Sequence, residues 1–261
     1  MSSTSTHGLI LYRDLVRELL AKEFKVRYKS TVLGYVWSLL NPLAFTLIYY
    51  FVFSQLGRQE VPGMPYALFL VTGLFPWQWF QNSVTAANGF FLGNAALIKK
   101  VRFPRFLLVL TGVLNDLIHF LVSIPVIALF MLLVGKHPSW SWIWQLPVLV
   151  LVQLAMTFGL ALVVATTNLF FRDLERLVGI FMLMWFFLTP IVYPATLIPP
   201  ERQWVLRVNP VTPLVDCWRA VLVEGRLPLG PLAASMLVGL CFTALGTLAY
   251  RRAQWRFAEI V

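Results

Sequence analysis

The chain has 261 residues, of which 59% are hydrophobic and only 12% are charged, about half the charged share of an ordinary soluble domain. A soluble fold of this length could not bury so much apolar surface, which excludes a soluble enzyme, a disordered chain and a disulfide-rich secreted domain. In an integral membrane protein, the net charge of +10 indicates basic cytoplasmic loops and contact with anionic membrane lipids rather than nucleic acid.

The first element in chain order is a basic amphipathic helix within residues 8–29. Its apolar residues recur at a spacing of three to four, with charged residues between them; they are Leu9, Tyr12, Leu15, Val16, Leu19 and Leu20. We expect this helix, in a cytoplasmic segment 1–31, to lie along the membrane surface. A solvated N-terminal helix is the alternative. Frequent charges and the lack of an apolar core argue against a cleavable signal peptide.

Six apolar stretches follow, each read as a membrane-spanning helix. They lie at about 32–56, 64–87, 106–134, 144–170, 177–194 and 229–250. The fifth is the shortest, and Thr189-Pro190 interrupts it. The sequence therefore predicts an all-α integral membrane protein with one membrane domain over 1–261, a six-span part at 32–250 and a C-terminal tail at 251–261.

The segment 194–228, between the last two predicted spans, is too apolar for a plain external loop and too rich in proline for a full span. Short re-entrant or interfacial helices fit it best, because irregular backbone at membrane depth must be covered by protein.

Lysine and arginine are unevenly divided between the two sides of this topology. One side carries 15 of them and the other carries 6. By the positive-inside rule, the first side is cytoplasmic and both termini lie there.

Any uphill transport needs an energy source, and the chain has no phosphate-binding loop of its own: Gly135-Lys136 is followed by His137 and lacks the glycine frame. The energy would come from an ion gradient or from a separate subunit. Asp116 and His119, one helical turn apart, could form a proton relay in an ion-coupled small-solute carrier. The alternative is a polar packing cluster, which we favour because carriers usually need more than one such site.

A third class of function is a membrane-embedded enzyme that modifies glycans. The external acids Glu201, Asp216 and Glu224 could serve it, but their spacing does not indicate glycosyl transfer. The histidines and carboxylates of the sequence form no catalytic constellation or metal cluster. We therefore expect no catalytic residues, no metal and no cofactor on this chain.

Two cytoplasmic segments are candidates for a docking surface. The first is a short apolar and basic helix near 94–104, ended by Pro104. The second is the charged turn that contains Arg172 and Asp173. Positive-inside topology alone would also explain their basic charge.

An ordered set of motifs covers nearly the whole chain. It comprises Arg27-Tyr28-x-x-Thr31-x-Leu33-Gly34-x-x-Trp37, Asn41-Pro42, Gly73-x-x-x-Trp77-x-x-Phe80, Asn94-x-x-Leu97-x-x-Lys100, Phe103-Pro104, Phe171-Arg172-Asp173, Pro190-x-x-Tyr193 and Asn209-Pro210. In this order, the motifs resemble the permease subunits of bacterial polysaccharide ABC exporters. These permeases serve lipopolysaccharide O-antigen, capsule and teichoic acid chains.

The resemblance implies a homodimer of permeases in the bacterial inner membrane, paired with two copies of an ATP-binding subunit that holds ATP and Mg. It also implies that the helix near 94–104 is a coupling helix docked on that subunit, and that the segment after the fifth span shapes the external gate. The cargo would be a lipid-linked glycan, with O-antigen first and capsule or teichoic acid next.

Site residues follow from this resemblance and from residue chemistry. Aromatic rings can stack on sugar faces, and in the first and fifth spans, which the family uses at its dimer seam, the expected channel residues are Tyr35, Trp37, Tyr50, Trp185 and Tyr193. Arg27 could meet a lipid-carrier phosphate, as arginine suits phosphate oxygens; a topological anchor is the alternative. The expected ATPase-coupling residues are Leu97, Lys99, Lys100, Arg102, Phe103, Arg172 and Asp173.

Overall fold

The computed structural model describes residues 12–23, 36–56, 61, 63–101 and 103–257, and within them the fold is all-helical. Helix α1 covers 12–23. The helices that follow are α2 (Trp37–Tyr49), α3 (Tyr66–Phe90), α4 (Ala95–Lys100), α5 (Phe106–Leu133), α6 (Trp142–Asn168), α7 (Leu174–Leu188), α8 (Trp204–Val208), α9 (Thr212–Arg219) and α10 (Leu229–Ala253). Helix α2 continues as a π-helical stretch, Tyr50–Leu56, and α9 as another, Ala220–Glu224. The predicted all-α fold is confirmed.

One end of the bundle, here called the basic end, brings together α1, α4, the start of α5 and the C-terminal ends of α3, α6 and α10. Three hydrogen bonds define it. They run from Lys22 Nζ to Asn94 Oδ1 (2.6 Å), from Asn168 Nδ2 to the Asn88 carbonyl (2.9 Å) and from Arg105 Nη1 to the Gln254 carbonyl (2.6 Å).

The opposite end is joined in the same way. The Tyr66 hydroxyl, at the start of α3, donates to the carbonyl of Val192, just after α7. Ser141 Oγ, before α6, donates to the carbonyl of Gly225 at 2.9 Å. Gly225 has a φ of 66°, and a Cβ there would lie 2.8 Å from Ser139 Oγ, so this turn needs glycine both for its backbone and for space.

Each of the six predicted spans corresponds to a helix, but the helices differ in length. Within the described residues, three are able to cross a membrane by length and composition: Phe106–Leu133, Trp142–Asn168 and Leu229–Arg256. Helix α3 has 25 residues, and its amide, tryptophan and glycine residues lower its mean hydropathy. Helix α7 has 15 residues, about 22 Å at ~1.5 Å per residue, against a hydrocarbon core of about 30 Å. The number of crossings stays a prediction.

Helices α6 and α10 approach each other most closely at glycine. A Cβ on Gly159 would lie 2.3 Å from the backbone of Phe242, and one on Gly246 would lie 2.4 Å from the Gly159 carbonyl oxygen. Thr243 Oγ1 donates across the same contact to the Ala155 carbonyl at 2.8 Å. Small residues that allow close backbone approach are a common way to pack helices in a membrane.

The amphipathic helix is observed as α1, and it packs against the helix bundle. Leu19 is buried in the hydrophobic core and Leu15 packs against that core, while Arg13, Asp14 and Arg17 are exposed. The apolar face of α1 is thus at least partly covered by the bundle, which the sequence pattern did not predict. The remainder of the predicted helix 8–29 lies outside the described residues.

Candidate functional site

The predicted coupling helix is present but shorter than expected: α4 covers Ala95–Lys100, and Val101 is already extended (φ −126°, ψ 136°). The restriction that Pro104 places on Phe103, the residue before it, sets an outer limit for the helix, and the helix ends three residues before that limit. Ile98 is buried and anchors α4, whereas Lys99 and Lys100 are exposed. The helix therefore presents two ammonium groups from a fixed base.

The start of α4 is held by Asn94. Its Nδ2 donates to the Phe90 carbonyl at 2.9 Å, and its Oδ1 accepts the bond from Lys22. Asn94 therefore links α1, α3 and α4, so a displacement of α4 would act directly on the other two helices. These two hydrogen bonds give the Asn94 position of the motif a structural role.

The other expected coupling residues differ in how exposed they are. Leu97 and Phe103 are half-buried, and Arg172 and Asp173 are exposed in the turn before α7, at the basic end. Phe171 beside them has 68% of its surface exposed. Arg102 lies outside the described residues, as do Arg27 and Tyr35.

The expected channel residues occupy three different environments. Trp37 is 50% exposed, on the outer face of α2. The ring centroid of Tyr50 lies 6.4 Å from that of Tyr66. Tyr193 is half-buried, and its hydroxyl donates to the Phe187 carbonyl at 2.8 Å. Their role as a channel lining stays a prediction.

Trp185 belongs to a packed aromatic cluster and is only 7% exposed. Its ring meets Phe80 edge-on at 5.5 Å and Trp77 at 6.3 Å. Phe186 extends the cluster to Trp77 at 5.9 Å and to Tyr49 of α2 at 5.4 Å. The cluster joins α2, α3 and α7, and a sugar could reach the Trp185 ring only after these helices move apart.

Asn209 is the polar centre that fixes Trp185. Its Oδ1 accepts from Trp185 Nε1 (2.9 Å) and from the Val211 amide (3.0 Å). Its Nδ2 donates to the Leu188 carbonyl (3.1 Å) and to Thr189 Oγ1 (2.9 Å). One amide thereby ties the end of α7 to the start of α9. The sequence marked Asn209-Pro210 as a motif but gave no role for it.

Arg219 of α9 forms a second link at the end of the bundle opposite the basic end. Its guanidinium carbon lies 3.7 Å from the ring centroid of Phe69, and Nη2 donates to the Ile191 carbonyl at 3.0 Å. A Cβ on Gly73 would come within 2.8 Å of that Nη2. Gly73 therefore leaves room for the guanidinium. An arginine in an apolar stretch was the available signal.

Asp116 sits inside a polar contact between helices. It is buried in α5, and its Oδ2 accepts a hydrogen bond from Ser83 Oγ of α3 at 3.0 Å. This arrangement matches the packing-cluster interpretation of Asp116. Among the described residues, no group of three or more histidine, cysteine or acidic side chains could hold a metal.

Comparisons with known proteins agree along the length of the chain. The profile of the ABC-2 type transporter family matches residues 14–223. The "O-antigen export system permease protein RfbA" of Klebsiella pneumoniae is 41% identical over 261 residues, all of both chains. A protein of the same name from Myxococcus xanthus is 34% identical, with 97% of each chain covered.

A more distant relative is the "Polysialic acid transport protein KpsM" of Escherichia coli, 24% identical over 85% of this chain and 86% of its own. With helices suited to a membrane and a family profile over most of its length, the protein is a membrane permease, which accounts for its lack of a nucleotide-binding loop. The chain belongs to the ABC-2 type transporter family, as the permease of a polysaccharide ABC exporter that works with a separate ATP-binding subunit.

Proposed function

We propose that this permease exports a lipid-linked polysaccharide, with O-antigen as the first choice and capsule or teichoic acid next. The cargo assignment rests on the full-length similarity of this chain, at 41% and 34% identity, to two proteins named as O-antigen export permeases. The polysialic acid relative is more distant, at 24%, which favours O-antigen over capsule.

The working assembly is two permeases and two ATP-binding subunits in a bacterial inner membrane, with ATP and Mg bound by the latter. The basic end faces the cytoplasm, and both termini lie there. The exposed Lys99 and Lys100 support this orientation, because basic loops are retained on the cytoplasmic side. The same two lysines, on a helix anchored by Ile98, form the proposed docking point for the ATPase.

Apolar side chains that remain exposed on α2 and α7 support the homodimer. These two helices are neighbours, since Tyr49 and Phe186 are in ring contact. Their exposed residues include Trp37, Phe45, Ile48, Phe181, Met184 and Phe187. A second copy on this surface would bring the aromatic cluster of Trp77, Phe80, Trp185 and Phe186 near the axis between the permeases, where a glycan would pass.

The docking proposal is tested by reversing charge on α4. The Lys99→Glu and Lys100→Glu double variant should lose at least tenfold of the ATPase that co-purifies with the tagged permease, because two exposed attractive charges become repulsive. Arg202→Glu, at the opposite end and equally exposed, is the matched control and should keep the ATPase. Wild-type levels of ATPase on the double variant would contradict this docking point.

The cargo is tested by deleting the permease in its own organism. Loss of surface O-antigen, together with accumulation of lipid-linked O-antigen inside the cell, is the expected result. Restoration by the wild-type chain is the control. Normal O-antigen with loss of capsule or teichoic acid would reassign the cargo to that polymer.

A further inference from the structure

A cavity of about 620 Å³ opens at the basic end, between the start of α5, the second half of α6 and the end of α10. The motif Phe103-Pro104 and the exposed Trp255 are among the residues that line it. This cavity is separate from the aromatic cluster on α2, α3 and α7. Apart from Phe103, which is an expected coupling residue, its lining residues have no role in the proposed transport path.

The deeper wall of the cavity is apolar. Phe158 and Leu162 of α6 and Phe106 of α5 line it. Both α5 and α6 are long and apolar enough to cross a membrane. The wall is therefore continuous with helix surface at hydrocarbon depth, and it suits an acyl chain better than a water-soluble ligand.

The rim of the cavity is cationic. Arg105 and Arg251 both line it, and none of the described residues that line it is acidic. Arg105 is held in place: its Nη1 donates to the Gln254 carbonyl at 2.6 Å, and its amide donates to the Tyr250 hydroxyl at 3.1 Å. The guanidinium of Arg251 is exposed and pairs with no acidic side chain among the described residues.

An apolar wall that ends at two arginines is complementary to one ligand chemistry, a phosphate attached to a hydrocarbon chain. Guanidinium groups match phosphate oxygens through several donors at once. Among the described residues, the Arg105 guanidinium makes one hydrogen bond, from Nη1. The volume lies in the usual range for ligand pockets, about 300–1,000 Å³. It can accept a headgroup phosphate and the upper part of one chain.

We propose that this cavity is a binding site for an anionic phospholipid, with the phosphate at Arg105 and Arg251 and an acyl chain along Phe158 and Leu162. Such a lipid would bridge the turn that follows the coupling helix to the end of α10. The turn between α4 and α5 would then be more firmly held in an anionic membrane than in a neutral one.

The test measures lipid binding to the purified full-length permease in detergent, by native mass spectrometry titration. Phosphatidylglycerol should bind at least fivefold more tightly than phosphatidylcholine. Arg251→Gln should weaken phosphatidylglycerol binding by about fivefold, the effect expected for one basic residue near an anionic lipid surface. Because the Arg251 guanidinium is exposed, this variant is expected to fold. Arg252→Gln is the matched control, as it is adjacent and exposed but does not line the cavity, and it should change affinity less than twofold.

Four results would overturn the proposal. They are equal affinity for the two phospholipids, equal losses in the two arginine variants, full displacement of the lipid by millimolar inorganic phosphate or pyrophosphate, and tighter Arg251-dependent binding of a polyprenyl diphosphate. The third would indicate a simple anion site, and the fourth would assign the cavity to the lipid carrier of the cargo.

Discussion

Replacement of Asn209 by leucine is the most informative single change in this fold. Leucine has nearly the same size but can neither accept nor donate a hydrogen bond. It would leave the indole N–H of Trp185 and the amide of Val211 without their acceptor, and the Leu188 carbonyl without one donor. All of these groups lie where the end of α7 meets the start of α9.

The expected loss follows from the four hydrogen bonds of the Asn209 side chain. A hydrogen bond between helices in a membrane protein contributes about 0.6 kcal/mol on average, and one in a soluble protein contributes about 1 kcal/mol. The variant should therefore lose about 2–4 kcal/mol of stability. At about 2–4 °C per kcal/mol for a chain of roughly this size, that corresponds to a fall in apparent Tm of roughly 4–16 °C.

The assay is thermal unfolding of the purified permease in a single detergent, followed by tryptophan fluorescence and by loss of the monodisperse peak. Asn41→Leu is the matched control, because Asn41 also precedes a proline but its side chain is exposed. Asn209→Leu should unfold well below both the wild type and Asn41→Leu. A Tm within 2 °C of the control would refute the central role given to this amide.

Two further variants test close contacts at glycine. Gly159→Leu should abolish folding or lower the Tm by more than 10 °C, because its Cβ would lie 2.3 Å from the Phe242 backbone. Gly89→Leu is the control and should keep a Tm near that of the wild type in the same detergent, because its Cβ would meet nothing within 4 Å. Gly73→Ala should lower the free energy of unfolding by about 1–3 kcal/mol, because the added methyl group would overpack against Arg219. Adding Arg219→Lys, with its shorter side chain, should recover part of that loss in a double-mutant melt. Strictly additive losses would show that the two residues do not interact.

The sequence predicted the helices well where local composition alone determines them. Apolar runs about 20 residues long cannot be left in water, so the spans at 106–134, 144–170 and 229–250 correspond closely to α5, α6 and α10. Proline was informative for α7, which ends directly before Thr189-Pro190, whereas α4 already ends at Lys100, four residues before Pro104. The fifth predicted span was too long at its C-terminal end, since Thr189 is already extended.

Only part of the candidate site could be predicted from the sequence, namely the part that the ordered motifs mark. The sequence predicted a short helix with basic residues before Pro104. In the structure, Lys99 and Lys100 of α4 are exposed. The channel residues were chosen by type and by span. Type does not distinguish Trp37, which is exposed on α2, from Trp185, which is packed against Phe80 and hydrogen-bonded to Asn209.

By itself, the sequence determined that the chain is a helical membrane protein, which helices it forms and which family it belongs to, because these depend on composition, local periodicity and ordered motifs. Only the tertiary structure decided that Asn209 holds Trp185, that Gly73 makes room for Arg219, and that Arg105 and Arg251 share one cavity with an apolar wall. The partners in each case are separated by 24 or more residues. Such contacts depend on how the helices pack, and no local pattern in the chain records that packing.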